Sequence, residues 1–190
     1  MHFRQYTVAA AAAVGADARV CGVDGVTYAH PSAAALAGVA VLNCGACGEC
    51  SNEQDVGVYL ATAADLTVRV RACGMRLLAK RRDRCLADLG FSPGCAACFA
   101  ANIDCDRRHC LWPCLRYTLR SWFSGPPRGG QQETLGSNPC LACDERVCGP
   151  AFLACAGANR RRAGIVSDIG RSGAEVCQLA VNFVKPAERH

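Results

Sequence analysis

Large side chains are scarce in this 190-residue chain: aromatics make up 6% of it and there are two methionines. A core built on small aliphatic residues buries less apolar surface per residue, so the chain needs another source of stability or divides into small modules. Further absences narrow the function. After the N-terminal stretch no apolar run reaches about 18 residues, so no transmembrane helix is expected in the mature chain. There is no Walker loop, H-E-x-x-H or G-x-S-x-G. Of the four histidines, His2, His30, His109 and His190, only His109 adjoins a nucleophile, Cys110, and sequence neighbours rarely face one another as nucleophile and base. Basic and aromatic residues do not interleave and no reader motif occurs, which argues against nucleic-acid binding. The expectation is a protein without catalytic residues, cofactor or resident metal.

Cysteine is what the chain has in quantity. Sixteen residues, an even number, sit at the edge of the range found in disulfide scaffolds. The N-terminus MHFRQYTVAAAAAVGADA bears on their state: Arg4 precedes an apolar stretch from Tyr6 to Ala16, and Ala16-Asp17-Ala18 fits a cleavage site. Residues 1–18 therefore read as a removable secretory signal, with an alanine-rich first helix as the alternative. A signal implies an oxidising, extracytoplasmic compartment, where paired thiols persist. Disulfides are accordingly expected among Cys21, Cys44, Cys47, Cys50, Cys73, Cys85, Cys95, Cys98, Cys105, Cys110, Cys114, Cys140, Cys143, Cys148, Cys155 and Cys177. Zinc is the rival, because Cys44/Cys47, Cys95/Cys98 and Cys140/Cys143 match zinc half-sites. The last two lie more than forty residues apart, which is poor spacing for a compact site. A thioredoxin-like role for CGAC or CGEC needs a βαβ setting that the flanks do not supply.

Apolar residues from Val56 to Cys73 recur at helical spacing. Together with Ser51 and Asn52 as caps and Gln54 or Asp55 reaching back, they predict a helix from Glu53, broken at Gly74, and a second over Met75 to Leu89 with Lys80, Arg81, Arg82 and Arg84 outward. Ser92-Pro93 and Asn138-Pro139 are start signals. They predict a hairpin of helices over Pro93 to about Ile103 and His109 to Phe123, the second perturbed by Pro113, then a cysteine-rich block restarting at Gly149-Pro150. In such helices Cys95 and Cys98 share one face, as do Cys110 and Cys114, a geometry that allows staples between the two pairs while leaving the exact pairing open. Both blocks contain C-D-x-R-x-C, at residues 105–110 and 143–148. Trp112 and Trp122 read as core or interface anchors.

The stretch CGVDGVTYAHPSAAALAGVAVLNCGAC, residues 21–47, resembles a Kazal domain through its C-G-x-D-G-x-T-Y core, a following small helix and a final G-A-C. The resemblance implies a short hairpin followed by one helix. It also implies a bridge between the family's third and sixth cysteines, here Cys21 and Cys47, leaving Cys44 and Cys50 to tie the module to the helical region. Ser32 and Leu36 stand where the fourth and fifth cysteines belong, and none precedes Cys21. Family inhibitors carry the protease-binding loop between the second and third cysteines. With that region absent or replaced by the alanine-rich N-terminus, serine-protease inhibition is the weaker functional expectation. The C-terminal CDERVCGPAFLACAGANRRRAGIVSDIGR is similar to segments of cysteine-rich proteins of algae and other protists, which is compatible with an organelle lumen such as that of the thylakoid.

Net charge is +5. Lys80-Arg81-Arg82 with Arg84 reads as a solvated helix face. Arg160, Arg161 and Arg162, between glycine-containing turns, are candidates for docking an acidic protein or another anionic surface. Asp65 and Asp168 lack an evident carboxylate partner, so solvated or capping roles are their default. The expected architecture is mainly α and disulfide-rich: a signal (1–18), a Kazal-like α+β module (19–50), a stapled helical region (51–124), a linker (125–138) and a second stapled helical region (139–190). The expected function is a non-catalytic structural or interaction protein with a protein partner, an accessory subunit of a larger assembly being one form of it.

Overall fold

A computed structural model describes residues 18–124 and 134–179. The expected signal up to residue 17 and residues 125–133 of the expected linker lie outside the described residues. The described residues begin with a three-stranded antiparallel sheet of order β2-β1-β3: Val20–Gly22 (β1), Thr27–Tyr28 (β2) and Val41–Cys44 (β3). In the β1–β2 turn Gly25 adopts φ +77°, a conformation that glycine enters without steric cost. Asp24 pins that turn by accepting hydrogen bonds from Val26 N (3.1 Å) and the Tyr28 hydroxyl (2.8 Å). A short helix, Pro31–Leu36 (α1), leads back to β3; His30 caps it by accepting from Ala33 N.

Seven further helices follow among the described residues: Glu53–Ala61 (α2), Leu66–Gly74 (α3), Ala79–Ala87 (α4), Pro93–His109 (α5), Leu111–Ser124 (α6), Pro139–Val147 (α7) and Gly149–Ala156 (α8), with one 3₁₀ turn at Gly173–Glu175. Starts occur where short polar side chains replace the missing intrahelical partners of the first amides. Asn52, Ser92 and Asn138 each accept a backbone amide from their own helix. Buried Asp55 joins two of these starts: it accepts from Asn52 Nδ2 (2.5 Å), Ser92 N (2.7 Å) and Ser92 Oγ (2.6 Å), locking the beginnings of α2 and α5 together.

Three expectations about the helices change. Residues 53–89 form three helices rather than two, because the first breaks after Ala61 as well as near Gly74. At that break Ala63 O accepts from Asp168 N (3.1 Å) and Arg160 Nη1 (3.0 Å), while Thr67 N donates to Asp168 Oδ2 (3.1 Å). A bond that would continue the helix is thus replaced by contacts from a hundred residues away. Second, α5 extends past Ile103 to His109. Third, Pro113 does not interrupt α6; it sits in the first turn, where its absent N–H costs nothing.

Four aromatics, Tyr59, Phe91, Phe99 and Phe152, gather in the core. Tyr59 and Phe91 pack edge-to-face with centroids 5.4 Å apart, and Phe99 meets both Phe91 (4.8 Å) and Phe152 (4.9 Å). Around them lie Leu42 of the sheet, Val56, Leu66, Leu86 and Ile103 of the first helical block, and Ala156, Ala163 and Ile165 of the second. The sheet and both cysteine-rich blocks therefore pack around one shared apolar cluster. Eight disulfides use all sixteen cysteines, and the architecture is mainly α and disulfide-rich.

Candidate functional site

The CGACGEC segment is divided among three bridges. Cys47 bonds Cys21 within the sheet module, Cys44 bonds Cys177, and Cys50 bonds Cys95. Cys50 alone of the last two reaches the first helical block; Cys44 reaches the far end of the described chain. Backbone contacts complete the join, with Glu49 N and Cys50 N donating to Cys155 O and Ala156 O (both 2.9 Å) at the C-terminus of α8. The approach requires glycine on both sides. A Cβ on Gly48 would lie 2.5 Å from Gly157 N, and one on Gly157, whose φ is +68°, 2.3 Å from Gly48 N.

Beyond this clasp the two blocks are joined by four bridges, Cys98–Cys155, Cys105–Cys148, Cys110–Cys143 and Cys114–Cys140. Along the first block the cysteines advance by seven, five and four residues while their partners retreat by seven, five and three. The spacing is nearly mirrored, so the bent pair α5–α6 runs antiparallel to the bent pair α7–α8, α5 against α8 and α6 against α7. Of the pairings the sequence left open, staples from Cys95 and Cys98 to Cys110 and Cys114 do not form. Only Cys110 separates α5 from α6, too little chain for an antiparallel turn, which takes about 2–5 residues. The two C-D-x-R-x-C copies face each other, the first cysteine of each bonded to the last of the other.

That local twofold arrangement brings the motif aspartates together. Asp106 is pushed up to about 7, first by burial and then by the charge of Asp144, with which it shares a hydrogen bond. Asp144 is also raised by burial, opposed by a 2.9 Å bond from Asn102 Nδ2. Asp106, Cys110 and Cys148 bring potential ligand atoms within 4.8 Å of one another, but both sulfurs are bonded, to Cys143 and Cys105. No CxxC unit offers a thiolate either, since each of its sulfurs is in a bridge to a different segment. Two open surface depressions among the described residues, one beside Arg19 and Leu153 and one beside Arg161 and Val176, do not include the carboxylate pair.

The basic clusters point less outward than expected. Arg160 donates to Asp168 (2.5 Å), Ala63 O and Thr67 Oγ1 (2.9 Å), and its side chain is 11% exposed. Asp168 is correspondingly a half-buried partner of Arg160, whereas Asp65 pairs with Arg69 at the surface. Arg162 lies against Gly45 and donates to Gly157 O (3.1 Å), capping the negative end of α8. Arg161 is half-buried. Arg160 and Arg162 are thus engaged within the molecule, while Arg161 lines the depression beside Val176. In α4, Lys80, Arg81 and Arg84 are exposed, but Arg82 turns inward to Asp83 and Asp104.

The surface feature that sequence reading missed is on α6. Cys114, Tyr117 and Thr118 face the molecule; Cys114 bonds Cys140, and the Tyr117 ring lies 5.6 Å below the Arg71 guanidinium. The outward side is apolar. Leu111, Leu115 and Leu119 are exposed, Trp112 is 72% exposed and Phe123 89%. Trp112 is therefore no core anchor. The signal was present as the four-residue recurrence Leu111, Leu115, Leu119, Phe123, but periodicity marks an apolar face without saying whether anything covers it. A smaller exposed apolar group, Met75, Leu77 and Leu78, occupies the α3–α4 connection, which Arg107 holds through Gly74 O and Arg76 O.

Residues 79–179, just over half of the chain, match the model of a family of unknown function, DUF8771. No curated protein and no solved structure matches the chain.

Proposed function

Because the chain belongs to DUF8771, a family of unknown function, no activity is inherited from it, and we propose from the geometry that the protein is a non-catalytic, disulfide-locked interaction protein. The contact surface in this reading is the outer face of α6. The single observation that carries it is the exposure of that helix's apolar side. Leaving such a face in water forgoes roughly 25 cal/mol for every Å² of apolar surface that contact would bury, and contiguous exposed apolar patches mark interaction sites. The cross-linked body supplies rigidity, so little conformational entropy is lost when the face engages.

Eight disulfides suit an oxidising, extracytoplasmic setting, and no described helix is long and apolar enough to cross a membrane. We read residues 21–47 as a degenerate Kazal-like module; its hairpin-then-helix order and the bond between Cys21 and Cys47 support that reading. Its role here is structural attachment to the helical body, through Cys44 and Cys50, rather than protease inhibition.

A photo-crosslinking residue at position 115 in the oxidised protein, compared with one at the still more open position 36 of α1, tests the contact surface in material from the native source. Adducts of protein or lipid formed at 115 and not at 36 are expected. Equal labelling at the two positions, or none at 115, overturns it.

A further inference from the structure

Helix α6 carries a charge pattern as one-sided as its apolar pattern. At about 100° per residue, Leu111, Leu115, Leu119, Trp112 and Phe123 sweep an arc of about 120°. Arg116 and Arg120 follow at its edge, both exposed, and the segment Leu111–Ser124 contains no Asp or Glu. The arc is exposed along a helix about 21 Å long. Immediately before it, Arg108 and His109 are exposed at the end of α5.

Charge complementarity selects an acidic counter-surface. A second copy in a twofold contact would set Arg116 and Arg120 against their own mates, so self-association is disfavoured. Shape then chooses between acidic surfaces. The apolar residues form a convex ridge along one helix, not a groove, and a ridge is a strip of contacts rather than the patch of about 20–30 residues that a stable protein interface uses. Aromatic and leucine side chains on one side with arginine beside them is the arrangement that settles into a lipid headgroup boundary, combining apolar burial with attraction to anionic lipid. The Cys114–Cys140 bridge holds the helix ready-made, so docking does not require folding.

Resting on the contact surface assigned above, we propose that the outer face of α6 is a peripheral docking site for an anionic lipid surface. Flotation of the oxidised full chain with vesicles tests it, using phosphatidylcholine alone and an equal mixture with phosphatidylglycerol. Binding is expected only to the anionic vesicles, weakening as salt rises. Reversal of Arg116→Glu with Arg120→Glu, and separately Trp112→Ser with Phe123→Ser, should each lower the bound fraction by roughly tenfold or more with unchanged circular dichroism. Leu36→Ser, on α1, should leave it unaltered.

Equal binding to both vesicle types, or binding that the α6 variants do not reduce, overturns the lipid assignment. So does a concentration-dependent dimer abolished by Phe123→Ser, or adducts at position 115 that are protein alone; in these two cases α6 remains a contact surface and only its occupant changes. Failure of the contact-surface reading itself is separately visible as the absence of any adduct specific to position 115.

Discussion

Asp106 retains a proton that an ordinary aspartate would have lost, and the direction of the resulting pH dependence follows. Its carboxyl is raised from 3.8 to about 7 in the folded state, so between those values the folded chain binds a proton that the unfolded chain has released. Stability from this group is full below about pH 4 and declines as pH rises to 7, where ionisation leaves two charges facing each other. Asp106→Asn mimics the protonated form. It is expected to stabilise the protein by roughly 1–2 kcal/mol at pH 8, a partly open setting being allowed for, and to be nearly neutral at pH 4. Urea unfolding midpoints with the disulfides intact provide the check; an equal change at both pH values would point to packing instead. Gly157→Ala acts through space rather than charge. With a positive φ and the Gly48 backbone 2.3 Å from the new Cβ, it should cost roughly 2–3 kcal/mol in the same measurement, whereas Gly57→Ala, with open space around it, should cost nothing.

The helices show which signals act locally and which come from afar. Asn52, Ser92-Pro93 and Asn138-Pro139 were legible as starts because a cap needs only its own first turn. The end of α2 was not legible, because Ala63 O is claimed by Arg160 and Asp168, whose arrival depends on the finished fold. The internal bonds of Arg160 were hidden from the sequence for the same reason. Arg160→Ala leaves Asp168 half-stranded and should cost roughly 2–4 kcal/mol; loss of protection at the Thr67 amide in hydrogen exchange would locate the damage at the α2–α3 break. The bridge pattern between the blocks is an intermediate case. Mirrored cysteine spacing is visible in the chain, yet it acquires meaning only when two segments are known to run antiparallel. A search for direct repetition sees two C-D-x-R-x-C copies and overlooks the reversed order of their flanks.

For the whole molecule, covalent links supplement a core short of large side chains. Intact mass should show eight bridges and no alkylatable thiol without reduction, as all sixteen cysteines are paired; thiols modified in the native protein would contradict the bonding pattern. Replacing Cys98 and Cys155 together by serine should cost roughly 2–5 kcal/mol, read as a lower unfolding midpoint, since that bridge fastens the two blocks beside the aromatic cluster. The long reach of Cys44 has a different consequence, in the order of synthesis. As the chain emerges from its N-terminus, Cys21 and Cys47 can close within the first 47 residues, and Cys73 and Cys85 can close soon afterwards. Cys44 waits for Cys177, 133 residues on. A chain ended anywhere between these two positions carries an unmatched thiol at Cys44, the mark by which an unfinished copy differs from a complete one.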